Sequence, residues 1–212
     1  MRLWTIQTRE LFDTLMRQGY VYCDRIGYYN ENNPEAYQWM CEQMRQRIGE
    51  PPLPEIKYPL WAYYQYNCRK DRQPKSDLGS EEKEGVYMEI DLPESDVLLS
   101  DLSSWTFAAL NGWHWGKNKR LERHIDALRA EAGEYIAFED YPEDIKEDIK
   151  EDIKASWVSF FDPMPPVSGY MQTMRRNRCI QGTFWMLRKE LVVSAELMVR
   201  HKGNNVKITR LL

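Results

Sequence analysis

Apolar and polar positions fall into short alternating runs and into longer stretches with helical spacing. Leu3-Trp4-Thr5-Ile6-Gln7 predicts a first strand. Thr8 follows as an N-cap, with Leu11, Phe12 and Leu15 on one helical face and Gly19 closing the helix. Tyr20-Val21-Tyr22 predicts a short strand, and Asn30 to Pro34 a turn. Pro34 then opens a helix to Ile48 that aligns Tyr37, Met40, Cys41, Met44 and Ile48 in a core-type stripe. Glu50-Pro51-Pro52-Leu53-Pro54 breaks the chain. Trp61 to Tyr66 predicts an aromatic strand, Arg69 to Ser80 a polar loop, and Val86 to Leu92 a strand stopped by Pro93. Asp96 to Asp101 leads into a short helix from Ser103 or Ser104 to Leu110, closed near Gly112.

Residues 112–154 predict a helical insertion. It holds a basic amphipathic helix around Lys119 to Ala132, then three Glu-Asp-Ile-Lys repeats from Glu143 to Lys154. Asp140 is the expected cap of the repeat helix, with Pro142 in its first turn. Each repeat sets Glu three residues before Lys, and Ile145, Ile149 and Ile153 form one narrow ridge. A period of four exceeds the helical 3.6, so the ridge winds slowly around the axis. The repeat reads as a structural surface helix without chemistry of its own.

After Trp157 to Phe161 and a basic loop to Arg178, Ile180 to Leu187 and Leu191 to Val199 predict strands. Gly203-Asn204-Asn205 predicts a hairpin turn before Val206 to Leu211. Strands and helices do not alternate as βαβ units. The fold class is therefore a single α+β domain over 1–212, with central mixed or antiparallel sheets and flanking helices.

At 212 residues the chain is long enough for a full hydrophobic core. No signal peptide or membrane span is expected, and the four cysteines form no C-x-x-C pair, which fits reduced thiols in a cytoplasmic protein. The net charge of −4 is uneven. From Tyr170 onward nine basic residues meet two acidic ones, a local +7, which leaves −11 for the first 169 residues. Such a division fits an anionic partner or a solvated surface balancing an acidic half. The eight acids from Glu81 to Asp101 suggest a charged strand edge protected from mispairing.

Metal chemistry finds no support, since His114, His124 and His201 stand far apart. Neither a nucleophile elbow nor a Gly-rich phosphate loop occurs. What does stand out is a pair of amides, Gln7 and Gln181, inside apolar strand runs. A buried amide needs partners, so these residues line a cleft or join a polar network within the sheet.

Several motifs occur in a shared order: Leu3-Trp4-Thr5-Ile6-Gln7, Pro59-Leu60-Trp61-Ala62-Tyr63, Asp96 to Asp101, Leu110-Asn111, Ser156-Trp157 with Phe160-Phe161-Asp162, and Ile180 to Trp185. In this the chain resembles the bacterial family known as domain of unknown function 3841, which brings no activity with it. The chain departs from that pattern at Ser76 to Gly79, where a Pro-Asp-Leu-Arg run is expected.

A more distant resemblance is to ADP-ribosyltransferase-like toxins, through Cys179-Ile180-Gln181-Gly182-Thr183. It implies by analogy an ADP-ribosyltransferase-like fold that binds NAD or a related nucleotide and modifies nucleic acid or protein. Gln181 matches the toxin glutamine, while Thr183 takes the place of the catalytic glutamate. Enzymatic activity is therefore uncertain: either another acid such as Glu196 or Glu89 substitutes for that glutamate, or the site binds without reacting. Trp4, Gln7, Tyr63, Tyr64 and Gln181 would line the nucleotide site. Arg69, Arg72, Arg175, Arg176 and Arg178 would meet phosphate or nucleic acid. The alternative is a non-catalytic protein- or RNA-binding protein of bacterial defence or counter-defence, with Trp113, His114 and Trp115 as stacking groups.

Overall fold

The computed structural model describes residues 1–24, 34–66, 83–102, 104–106, 119–133, 140–161, 179–201 and 206–212. The chain begins as predicted. Strand β1 (Arg2–Gln7) passes directly into helix α1 (Arg9–Gln18). The Thr8 hydroxyl accepts the Leu11 N–H at 3.2 Å and so satisfies one open donor of the first turn. Gly19 stops the helix at φ 87°, where a side chain would be strained, and its N–H reaches the Leu15 carbonyl at 2.9 Å. Strand β2 (Tyr20–Tyr22), helix α2 (Pro34–Ile48), β3 (Leu60–Gln65), β4 (Glu84–Asp91) and β5 (Leu98–Asp101) follow.

Helices α3 (Lys119–Ala132) and α4 (Glu143–Ser156) come next, and a 3-10 turn follows at Trp157–Phe161. Strands β6 (Ile180–Phe184), β7 (Met186–Arg188), β8 (Val192–Arg200) and β9 (Val206–Arg210) complete the elements. The result is α+β. A seven-stranded antiparallel sheet runs in the order β5-β6-β3-β1-β4-β8-β9, beside a two-stranded β2-β7 ribbon.

Alternation along the strands separates two faces. Leu3, Ala62, Val86, Met88 and Phe184 pack with Phe12 and Leu15, so α1 covers one face. Trp61, Leu98, Trp105 and Trp185 pack with Ala36, Tyr37, Met40 and Met44, so α2 covers part of the other. Here aromatic rings interlock: Trp61 stacks on Trp105 with centroids 5.1 Å apart, and Tyr37 meets Trp105 edge-on at 5.2 Å. The α2 stripe is thus core, as predicted. Farther along the same sheet face, Trp4, Tyr87 and Met198 form a smaller buried cluster.

Three local expectations need correction. The acid-rich strand β4 is interior, paired with β1 on one side and β8 on the other. Its charges are accommodated by ion pairing, with Arg2 bridging Glu89 at 2.6 Å and Asp91 at 3.2 Å. The run Ile180 to Leu187 is two strands in two sheets, because the chain bends at Trp185, whose indole donates to the Gly49 carbonyl at 2.9 Å. Helix α4 starts after Pro142 without a side-chain cap, so Asp140 does not serve there. The Trp157–Phe161 turn packs under α2, where Trp39 meets Trp157 and Phe161.

The repeat ridge is buried. Ile145 and Ile149 pack with Ile125 and Tyr141 in a small core between α3 and α4. Ile153 touches both this core and the α2 core, and Lys154 reaches Glu35 of α2 at 3.2 Å. The expected turn at Gly203 to Asn205 lies outside the described residues, although Arg200 and Val206 on either side are paired.

Candidate functional site

Strand register builds one continuous polar and aromatic row across the sheet. Ser100 stands opposite Gln181, Gln181 opposite Tyr63, and Tyr63 opposite Trp4. Trp4 stands opposite Glu89, and Glu89 opposite Ser194. Because partners in register share a face, all six side chains belong to the face that α2 partly covers. Adjacent strands lie about 4.8 Å apart, so Gln181 and Glu89, three strands distant, are separated by roughly 14 Å. The row sets two aromatic side chains, an amide and a carboxylate in line. That set suits a flat heteroaromatic group carrying polar edges.

The row is well supported. Gln181 is buried, and its amide donates to the Ser100 hydroxyl at 3.3 Å. Glu89 is held by the Arg2 guanidinium, a charge-assisted contact that fixes the carboxylate. Tyr63 is half-buried and meets Tyr66 edge-on at 5.7 Å. Trp4 packs against Tyr87 and Met198. In the next row of the same face, Glu196 faces Tyr87 on one side and Arg210 on the other.

The residues singled out from sequence divide accordingly. Trp4, Tyr63, Gln181, Thr183 and Glu196 share one face. Gln7 and Tyr64 belong to the α1 face, so the two glutamines do not line one surface. The Gln7 amide donates to the Thr5 hydroxyl at 2.8 Å, which donates to the Trp61 carbonyl at 3.0 Å. Gln7 therefore serves a polar relay between β1 and β3. Thr183 is fully buried, and its hydroxyl donates to the Leu98 carbonyl at 3.2 Å, bracing β6 against β5.

Arg69, Arg72, Arg175, Arg176 and Arg178 lie outside the described residues, as do Trp113, His114 and Trp115. Sequence reading did not find Ser100 or Ser194, since only register reveals them. Among the described residues no group of His, Cys, Asp or Glu is arranged to hold a metal ion, and no helix is long and apolar enough to cross a membrane.

One phenol and one thiol of α2 are strongly perturbed. Burial pushes the Tyr37 phenol up to about 12, with the Cys23 thiolate adding to the rise. Burial likewise pushes the Cys41 thiol up to about 11, against the lowering influence of Arg45. The Cys41 thiol lies 3.4 Å from the Lys57 carbonyl. Both groups stay protonated at neutral pH and belong to the core rather than to chemistry.

No curated protein and no solved structure matches the chain. The family described as Domain of unknown function (DUF3841) matches residues 2–193, which takes in β1 to β7 and only the first two residues of β8, short of Ser194, and the chain belongs to that family.

Proposed function

We propose that the chain binds NAD or a related nucleotide on the sheet face that carries Gln181, Tyr63, Trp4 and Glu89. The observation that carries this reading is their alignment in a single row over four adjacent strands. Aromatic faces supply stacking, and the amide and carboxylate supply directional hydrogen bonds. Transfer of ADP-ribose needs a carboxylate near the positive charge that develops on the ribose as nicotinamide departs. Thr183 cannot supply it, with no charge and a hydroxyl already used by Leu98. Glu89 and Glu196 on the same face are the carboxylates for that role. If neither acts, the domain is a nucleotide sensor.

The test combines thermal unfolding with nicotinamide release at millimolar NAD. NAD should raise the wild-type Tm, and Gln181→Ala should abolish the rise. Release of nicotinamide that disappears in Glu89→Gln or Glu196→Gln makes the domain an enzyme. A flat melting curve overturns the reading. The second reading, a non-catalytic binder of an acidic protein or RNA, draws on the basic C-terminal region, where Lys207 and Arg210 are exposed on β9. Its test is charge reversal of Arg175 and Arg176 together, which should end partner capture and leave the fold intact.

A further inference from the structure

We infer that the indole N–H of Trp4 is a ligand-binding donor and that, with Glu89, it reads an edge on which an acceptor and a donor lie side by side. This rests on the nucleotide reading above. Trp4 is 9% exposed, and its Nε1 is buried without a hydrogen-bond partner. An indole nitrogen only donates, and a buried donor left alone is costly enough that native structures keep few. The contrast within the same molecule is Trp185, whose Nε1 has the Gly49 carbonyl at 2.9 Å. Trp4 packs in a cluster with Met198 and the apolar residues Ile6 and Val206, and although the Tyr87 phenol of the same cluster could accept, no hydrogen bond joins it to the indole.

Register then identifies the neighbour. Trp4 and Glu89 are directly opposed, so their Cβ atoms are about 5 Å apart. Glu89 accepts only, and Arg2 occupies one of its oxygens. A carboxylate has roughly four acceptor positions, so others remain for a ligand. A donor and an acceptor held this way match a group with a ring nitrogen or carbonyl beside an NH2. In NAD two groups have that edge: the adenine base and the nicotinamide carboxamide. Tyr63, half-buried, stands on the other side of Trp4.

The experiment compares wild type with Trp4→Phe, which keeps an apolar aromatic ring, removes the donor and shrinks the side chain by one ring. Binding of NAD, ADP-ribose and nicotinamide mononucleotide is measured by calorimetry. The Trp4 indole N–H is followed by 15N NMR, assigned through its loss in the variant. NAD should bind Trp4→Phe about tenfold more weakly, the scale of one lost hydrogen bond. The half-molecule that loses affinity in parallel names the edge being read, adenine or carboxamide. The Trp4 indole proton should move downfield when that half-molecule is added to wild type. Equal affinity of wild type and variant for NAD, with an unmoved indole proton, overturns the inference and leaves the nucleotide reading standing. Absence of any binding to wild type overturns both.

Discussion

Replacing Gly182 with alanine puts a methyl group where the sheet has no space. A Cβ built there lies 2.8 Å from Val97 Cγ1, and 3.3 and 3.5 Å from the two methyl carbons of Leu3. Carbon atoms rest comfortably at about 3.5–4.0 Å, so the Val97 contact is short by roughly 0.7 Å or more. Neither neighbour yields easily. Leu3 is fully buried on a strand flanked on both sides, and Val97 is buried and stiff at χ1. Overpacking of this kind costs about 1–3 kcal/mol. Alanine recovers roughly 0.5–1 kcal/mol because the unfolded chain has less freedom to lose. A net destabilisation of about 1–2 kcal/mol remains, a fall in Tm of about 2–8 °C for a domain of this size. The assay is thermal and urea unfolding of wild type, Gly182→Ala, Val97→Ala and the double variant. Val97→Ala alone should cost about 1.5 kcal/mol or more for its lost methyl carbons. In the double variant the new methyl group occupies vacated space, so its loss should be less than the sum by at least about 0.5 kcal/mol. An unchanged Tm in Gly182→Ala, or strictly additive losses, would refute the packing argument.

Alkaline pH should destabilise the domain through Tyr37 and Cys41. Both hold their protons more tightly folded than unfolded, so their contribution is intact below the ordinary values of 9.0 and 10.0. It is lost as pH rises to about 11 for Cys41 and about 12 for Tyr37. Tm measured against pH should show this decline, and Tyr37→Phe combined with Cys41→Ala should flatten it; parallel curves would exclude both groups. Ile149→Ala should cost about 2–5 kcal/mol in the α3–α4 core, where Ile149 is buried. Hydrogen exchange should rise in those two helices while the sheet keeps its protection, and exposed Lys150→Ala should be silent.

Local chemistry made much of the fold legible. The α1 boundaries followed from Thr8 and Gly19 because capping acts through neighbouring residues. The Tyr37 to Met44 stripe announced a buried face for the same reason. Gln181 was legible as a buried amide, but its partner Ser100 lies 81 residues away and register alone brings it there. The acids of β4 looked like an edge because charge near solvent and charge paired by Arg2 have the same composition. Alternation in one strand fixes which residues share a face, but not which face another strand offers. Gln7 therefore looked like a companion of Gln181 and proves to be on the opposite side.

The place of β6 between β3 and β5 sets an order of events during synthesis. Residues 102–179, the 78 between Asp101 and Ile180, must emerge from the ribosome after β5 and before β6. At about 5–20 residues per second, that interval lasts roughly 4–16 s. Helices form in microseconds, so the α3–α4 pair has time to assemble while the sheet still lacks an inner strand. Throughout this interval β3 and β5 cannot pair across the missing strand and expose hydrogen-bonding edges able to recruit another nascent chain. Shielding of those two edges before residue 184 arrives is therefore a requirement separate from the stability of the finished sheet.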